Sequence, residues 1–338
     1  MNFVDADAHN VFFMANISFP RNLLLKISKF MFLYRYNRAK STLQHIPKNV
    51  AKIEIDFKKL NIPSPRVDFS TLLFDPSDEG ASVELYAWGF REPVYTYMLY
   101  DFLFKEKSNF DCIIDVGSHV GYFPLIELAS GVKSILAIEP NPNSYAYLKR
   151  NLNCFKNVKT MNIAISNKDK YIKMLIAKSS NLSRIVNELA QINEMGEIID
   201  VKGLSLETVI HSQGLKGASV FLRMDVEGYE TIILEKIPSE VCGLSFELHP
   251  SILGVESTMS LLRKLSKLSF KAYALTYEGI YMYPIIKALG LTATLQLLKK
   301  IKLSPIILKP SISKSERLIA SKLQPHIFML RNPLPSER

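Results

Sequence analysis

From Phe110 onward, apolar segments of strand length alternate with segments of helical periodicity. The apolar segments read FDCIIDV, KSILAIE, NVKTMNIAI, SVFLRMD, GLSFEL and FKAYALTY, and stretches such as NPNSYAYLKRNLN separate them. This alternation is typical of βαβ units, in which helices cover both faces of a buried, mostly parallel sheet. We therefore expect an α/β fold with a doubly wound, mostly parallel sheet. YIKMLIA and EIIDVKGLSLETVI predict an extra hairpin and a helix before the fourth strand, and HIFMLR predicts a last strand.

Composition limits the class of protein. With 338 residues, 48% of them hydrophobic, the chain is long enough for one α/β domain with additions and too apolar to be disordered. Its net charge of +10 suits nucleic acid, an anionic membrane or an acidic substrate, and equally an ordinary solvated surface. Cys112, Cys154 and Cys242 are too few and too scattered for a disulfide framework or a zinc site, which favours a reducing compartment. We expect a cytoplasmic protein, because there is no basic signal region and no run of ~18 uncharged apolar residues.

Two parts of the chain lie outside the alternation. Residues 1–80 are predicted to form a partly helical N-terminal appendage, and 81–335 the main domain, with an insertion at 280–320. From Ile280 to Ser315 the insertion has six lysines and no acidic residue. Each part has an apolar helical stripe, formed by Leu23, Ile27, Phe30 and Tyr34 in the appendage and by Leu291, Leu295 and Leu298 in the insertion. The stripes are expected to dock on the protein's own core or on a second subunit of a homodimer, or to pack together as a cap over the active-site face; the alternative is a joint patch that holds the protein peripherally on an anionic membrane.

The turn after the first strand of the main domain indicates a ligand site. Its sequence, Gly117-Ser118-His119-Val120-Gly121, lacks the middle glycine that a dinucleotide fold uses to make room for a pyrophosphate. Asp115, at the end of the strand, would repel a pyrophosphate and could accept a hydrogen bond from an ammonium group. Glu139 ends the next strand, where it could accept hydrogen bonds from the hydroxyls of a ribose. A ribose combined with an amino acid group points to S-adenosylmethionine.

Two further segments carry a family resemblance. FLRMDVEGYE, from Phe221 to Glu230, and FELHP on the next strand resemble the FkbM-type family of S-adenosylmethionine-dependent methyltransferases, over about Tyr86 to Tyr277 plus the final strand. The resemblance implies a class I methyltransferase fold, with seven strands and an antiparallel seventh. It also implies transfer of methyl groups to hydroxyls of sugars, glycans and secondary metabolites. The chain departs from the family pattern at Ser118 and His119, where a small residue and asparagine are usual, and at Arg223, where lysine is common.

These considerations give a set of candidate site residues. Asp225 and His249 are the candidate proton acceptors, because the ends of adjacent strands meet at one edge of the sheet. Glu227 completes the predicted catalytic group and, with Glu247, is expected to hold the methionine end of the cofactor or the acceptor sugar. The predicted cofactor-binding residues are Asp115, Gly117, Ser118, His119, Gly121, Glu139, Pro140, Asn141, Ala164 and Glu247. An Asp/Glu/His group could also hold a divalent ion, but no ligand spacing is diagnostic, so no metal is predicted.

The predicted function is S-adenosylmethionine-dependent O-methylation of a sugar, glycan, glycolipid or similar small molecule. An RNA methyltransferase is the first alternative, and the basic charge favours it. The motif speaks against it, because the fourth strand is followed by Asp-Val-Glu-Gly rather than an Asn-Pro-Pro-Tyr type motif, so nucleic acid is the less favoured partner. A non-catalytic S-adenosylmethionine-binding module is the second. Retention of Asp115, Gly117, Gly121 and Glu139 argues against this last reading.

Overall fold

The structure is a computed structural model that describes residues 21–48, 51–64, 71–186, 196–308, 310 and 324–331. Its helices are α1 Arg21–Leu43, α2 Ala81–Trp88, α3 Pro93–Glu106, α4 Tyr122–Ala129, α5 Pro142–Leu152, α6 Leu206–Ser212, α7 Glu230–Ile233, α8 Pro250–Leu253, α9 Val255–Lys267, α10 Met282–Leu289 and α11 Leu291–Lys300. Its strands are β1 Lys52–Glu54, β2 Thr71–Leu73, β3 Cys112–Val116, β4 Ile135–Ile138, β5 Val158–Met161, β6 Ala164–Ser166, β7 Lys170–Ala177, β8 Arg184–Ile185, β9 Gly196–Ser205, β10 Val220–Met224, β11 Val241–Glu247, β12 Phe270–Thr276, β13 Ile306–Leu308 and β14 His326–Arg331.

The main sheet has the strand order β13-β12-β14-β11-β10-β3-β4-β5. Strands β11, β10, β3, β4 and β5 pair in parallel, and β14 is antiparallel to both of its neighbours. Every residue of β3 and β10 is buried, as expected for central strands that helices cover on both faces. The α/β prediction and the antiparallel last strand are therefore confirmed.

The described part of the main sheet has eight strands, so the expected count of seven is wrong. The additional strand is β13, which the insertion contributes and which pairs antiparallel with β12 from Thr276↔Ile306 to Ala274↔Leu308. Without β13, the backbone groups on this side of β12 would form the open edge of the sheet. The insertion thus extends the sheet and covers that edge.

A second sheet, in the order β6-β9-β7-β8, contains the predicted hairpin. Strands β7 and β9 pair antiparallel from Lys170↔Gly203 to Ala177↔Gly196, and β6 runs parallel to β9. The segment NVKTMNIAI, expected to be one strand, is divided between the two sheets. Asn162 marks the division, because its side-chain amide donates to the backbone oxygens of Glu139 and Pro140 instead of continuing the strand.

Helices on both faces of the main sheet bury two hydrophobic cores. One core contains Phe102 of α3, Leu125 of α4 and Leu148 of α5; the other contains Ile210 of α6 and Leu262 of α9. The described part of the appendage shares the first core through side chains of α1, β1 and β2, namely Phe32, Ile53 and Leu72. The appendage therefore packs on the main domain, and the boundary near residue 80 stays a prediction.

Helix α1 docks on the core, but with a different face from the one expected. Phe32 is buried, with its ring stacked on Trp88 at a centroid distance of 5.7 Å. Phe30 and Tyr34, which belong to the predicted stripe, are 70% and 61% exposed. The helix has apolar residues around most of its circumference, so the spacing alone does not decide which face is buried.

The insertion packs against α1. Leu291 and Leu298 of α11 are buried, which confirms that stripe, and Tyr283 of α10 contacts Phe32 edge-on at a centroid distance of 5.3 Å. The appendage and the insertion therefore pack together in the described part of the chain, and residues 309 and 311–320 of the insertion lie outside the described residues. Across the described parts of the chain, no helix is both long and apolar enough to span a membrane.

Candidate functional site

A cleft of about 710 Å³, measured with its open mouth, lies at the carboxyl ends of β3, β4 and β10. Gly117 follows β3, Glu139 follows β4 and Asp225 follows β10, and all three line the cleft. In a doubly wound sheet ligands bind at this edge, where the strands have ended and loops leave backbone groups free.

The turn after β3 brings two strand ends into contact. Gly117 has a φ of 83°, and a Cβ atom there would collide with the backbone oxygen of Asp225. Glycine therefore allows the loop after β10 to lie against this turn. His119, at a φ of 51°, also lines the cleft, and burial lowers its pKa. At neutral pH the turn presents a neutral imidazole to the cleft.

Two other residues of this turn face the interior, which corrects their assignment to the cofactor. Ser118 is 2% exposed, and its hydroxyl donates to the backbone oxygen of Asp115 at 2.9 Å. A Cβ atom on Gly121 would lie 3.2 Å from Cδ1 of Leu148 in α5. Neither residue lines the cleft, because Ser118 closes the turn and Gly121 lets α4 approach α5.

Glu139 presents an oriented carboxylate to the cleft. The backbone N–H of His119 donates to its Oε2 at 2.8 Å, and that of Asn141 donates to its Oε1 at 2.9 Å. Burial raises the pKa of Glu139 to about 7, in spite of these two hydrogen bonds. Each carboxylate oxygen keeps one lone-pair direction for a ligand. Pro140 and Asn141 line the cleft beside it, and Ala164 of β6 lines the wall of the second sheet.

Asp115 does not line the cleft, so its predicted contact with an ammonium group is also corrected. Its side chain is 0% exposed, and Nη1 of Arg223 donates to its Oδ1 at 2.9 Å. The guanidinium carbon of Arg223 lies 4.0 Å from the ring centroid of Phe123. Nη2 of Arg223 donates to Oδ2 of Asp225 at 3.2 Å. A buried carboxylate needs such a partner, and the same cation orients Asp225 at the cleft.

His249 lies among three carboxylates at the ends of β10 and β11. Its Nδ1 donates to Oε1 of Glu230 at 2.7 Å. Its Nε2 lies 3.4 Å from Oε2 of Glu227 and 3.3 Å from Oε2 of Glu247. The sequence prediction that Asp225, Glu227, Glu247 and His249 come together is confirmed. Of these four, Asp225 and Glu227 line the cleft, whereas His249 and Glu247 do not.

The carboxylates decide the charge of His249. Although burial alone would lower it, hydrogen bonds to Glu230 and Glu247 raise the pKa of His249 to about 12. A protonated imidazole cannot accept a proton, so this charge state disfavours His249 as the base. Burial, together with the charge of Asp225, raises the pKa of Glu227 to about 8, so its carboxylate is a stronger base than an exposed one.

Sequence reasoning missed one wall of the cleft and one charged residue. Met174 of β7 and Ile185 of β8 form part of the wall, and no local pattern places the second sheet over the cleft. Arg91 also lines the cleft, with its Nε 2.9 Å from Glu92 and 3.6 Å from Glu84. The signal for Arg91 was the charged pair Arg91-Glu92 directly before the apolar helix α3.

Comparison with known proteins identifies the domain around this cleft. Residues 115–267 match the family model described as Methyltransferase FkbM domain. A search of curated proteins found no match. Among solved structures, the O-methyltransferase from Bacillus cereus in complex with SAH is 9% identical and covers 98% of this chain and 100% of its own, with a TM-score of 0.37. The O-methyltransferase TomG from Streptomyces achromogenes, involved in tomaymycin synthesis and in complex with SAM, is 8% identical. The match covers 72% of this chain and 82% of TomG, with a TM-score of 0.38.

Proposed function

We propose that this chain, an S-adenosylmethionine-dependent methyltransferase whose residues 115–267 match the FkbM domain, methylates a hydroxyl oxygen of a sugar, glycan or glycolipid. The observation that carries the proposal is the pair of acidic side chains, Asp225 and Glu227, which line the cleft beside the turn and strand ends expected to hold the cofactor. Carboxylates accept hydrogen bonds from neighbouring hydroxyls and repel phosphate groups. They therefore favour a polyhydroxylated acceptor over an RNA backbone.

The residues present fit the cofactor. The two free lone-pair directions of Glu139 are suited to the two hydroxyls of the adenosine ribose. Gly117 and His119 leave the end of β3 open to the rest of the cofactor, and Ala164 offers a small apolar surface. When bound, S-adenosylmethionine supplies an activated methyl group on a sulfonium sulfur.

The protein's part in the reaction is to orient the acceptor and to take a proton. Arg223 fixes Asp225, which accepts a hydrogen bond from the acceptor and so aims its oxygen. Glu227 accepts the proton of that hydroxyl as the oxygen gains the methyl group, and its side chain is 20% exposed to the cleft. His249 and Arg223 are cations next to these two carboxylates, and they hold both in place.

The proposal is tested by incubating the full chain with methyl-labelled cofactor and separate fractions of glycan, lipid, RNA and small molecules. We expect label in carbohydrate-containing fractions, in a form that resists mild alkali, because a methyl ether has no ester bond to cleave. Glu227→Gln should lower turnover by about 100-fold and leave affinity for S-adenosylhomocysteine unchanged. Glu207→Gln, an exposed position outside the cleft, is the matched control. Label in RNA, or no transfer to any fraction, would contradict the proposal.

A further inference from the structure

We infer that Asp225, Glu227 and His249, supported by Glu247, form a binding site for a divalent cation of the Mn²⁺ type at the edge of the cleft. The prediction from sequence was that no metal is bound, because the spacing of these residues is not diagnostic. The folded chain brings them together from two strand ends and supplies a geometry that the spacing does not reveal.

The donor atoms of these side chains lie close enough together to be drawn around one ion. One ligand atom each from Asp225, Glu227 and His249 lie within 4.8 Å of one another. Ligands about 2.1 Å from a cation are ~3.0 Å apart when adjacent and ~4.2 Å apart when opposite. Nε2 of His249 is 3.4 Å from Glu227 and 3.3 Å from Glu247, close to the adjacent value.

The orientation of the His249 ring is an independent observation that points to a metal ligand. The ring is 1% exposed, and its Nδ1 donates to Oε1 of Glu230, which is itself 1% exposed. The backbone N–H of Gly228 donates to the same oxygen at 3.2 Å. Metal-binding histidines commonly donate their second N–H to a carboxylate, which fixes the ring and directs the other nitrogen to the ion. Glu230 holds Nε2 of His249 directed at Glu227 and Glu247 in this way.

The local charge balance is compatible with a dication. Arg223 pairs with Asp115 and Asp225, whereas Glu227, Glu230 and Glu247 surround the single imidazole of His249. Without an ion, the protonated imidazole of His249 supplies the positive charge that these buried carboxylates require; a bound dication would displace the proton from Nε2 and supply that charge instead. A mixed set of carboxylate oxygens and one imidazole nitrogen suits Mn²⁺ and related first-row ions better than Ca²⁺, which takes oxygen ligands.

Such a cation would be accessible to a ligand, because Asp225 and Glu227 line the cleft. Its use in catalysis rests on the function proposed above: the cation would bind the acceptor oxygen and fix it near the activated methyl group. Oε2 of Glu227 faces His249, so Oε1 remains for the proton of the acceptor. Binding of the ion itself depends only on the side chains of this cluster.

The test uses the full chain, freed of metal with a chelator and titrated with MnCl₂ without cofactor or acceptor. Electron paramagnetic resonance of free Mn²⁺ measures the bound fraction. We expect one site per chain and a loss of affinity of at least tenfold in His249→Ala and in Asp225→Asn. Glu230→Gln, which changes a positioning residue that does not contact the ion, should lose about tenfold. Glu207→Gln is the control and should bind as the wild type does.

Affinity for S-adenosylhomocysteine shows whether each variant is folded. A second readout uses the wild type: bound Mn²⁺ should broaden the NMR resonances of the His249 imidazole. Absence of binding at millimolar Mn²⁺, unbroadened His249 resonances, or binding that folded His249→Ala retains would overturn the inference. If Mn²⁺ binds as expected but no hydroxyl compound is methylated, only the proposed function fails. If methyl transfer to a hydroxyl proceeds and no Mn²⁺ binds, only the cation site fails.

Discussion

Arg223 and Asp115 form an ion pair of 2.9 Å in which neither side chain is exposed to solvent. The pair joins the central strands β10 and β3, which are neighbours in the sheet. Because Arg223 also donates to Asp225, one buried cation links the interior of the sheet to the acidic side of the cleft.

Replacing this cation should be costly. Arg223→Met should reduce the free energy of unfolding by about 3–5 kcal/mol, because it leaves the carboxylate of Asp115 buried without a partner. The double variant Arg223→Met with Asp115→Leu should recover part of that loss. Chemical denaturation measures both, and Arg263→Met, at an exposed ion pair with Glu256, should cost less than 1 kcal/mol. Equal losses in the single and double variants would contradict the pairing as the cause.

The affinity for S-adenosylhomocysteine should depend on pH through Glu139. Burial raises the pKa of this carboxyl to about 7. A protonated oxygen is a poorer acceptor for a ribose hydroxyl, so affinity should be nearly constant above pH 8 and fall by about tenfold between pH 8 and pH 6. Calorimetry at a series of pH values measures this. Glu139→Gln should bind more weakly and remove the dependence. A wild-type profile that is flat from pH 6 to pH 8 would mean that Glu139 does not contact the ligand.

Gly117 should be intolerant of a side chain for two separable reasons. Gly117→Ala places a Cβ atom against the backbone oxygen of Asp225 and keeps a positive φ of 83°. Gly214→Ala has a similar φ of 71° with open space around it, so it reports the cost of the backbone conformation alone, about 1 kcal/mol. We expect Gly117→Ala to lose clearly more stability in denaturation, together with affinity for S-adenosylhomocysteine. Similar losses in the two variants would show that the close approach to Asp225 is unimportant.

The features predicted correctly from sequence are those that neighbouring residues encode. The alternation of strands and helices gives the parallel sheet, the segments around β7 and β9 give the hairpin, and the ends of β3 and β4 place Gly117 and Glu139 at the cleft. The ends of β10 and β11 meet because adjacent parallel strands end at one edge. Each prediction needed only a local pattern and the rule that places strand ends together.

The features that were missed depend on partners far away in the chain. Arg223 and Asp115 are 108 positions apart, and nothing near either one identifies the other as its partner. Asp115 was therefore assigned to the ligand, and the free side of β12 was not expected to bind β13. The charge of His249 likewise follows from Glu230 and Glu247, whose distances no spacing rule supplies.

The buried face of α1 gives the last prediction. Phe32 is buried against Trp88 and Tyr283, whereas Phe30, two positions away, is 70% exposed. Phe32→Ala should reduce the free energy of unfolding by about 3–5 kcal/mol, since it removes a large aromatic side chain from the shared core. Phe30→Ala changes the same residue type on the opposite side of the helix and should change the free energy of unfolding by less than about 0.5 kcal/mol. Chemical denaturation of the two variants compares the faces directly. A larger loss for Phe30→Ala would mean that the Leu23, Ile27, Phe30 and Tyr34 stripe is the one that docks.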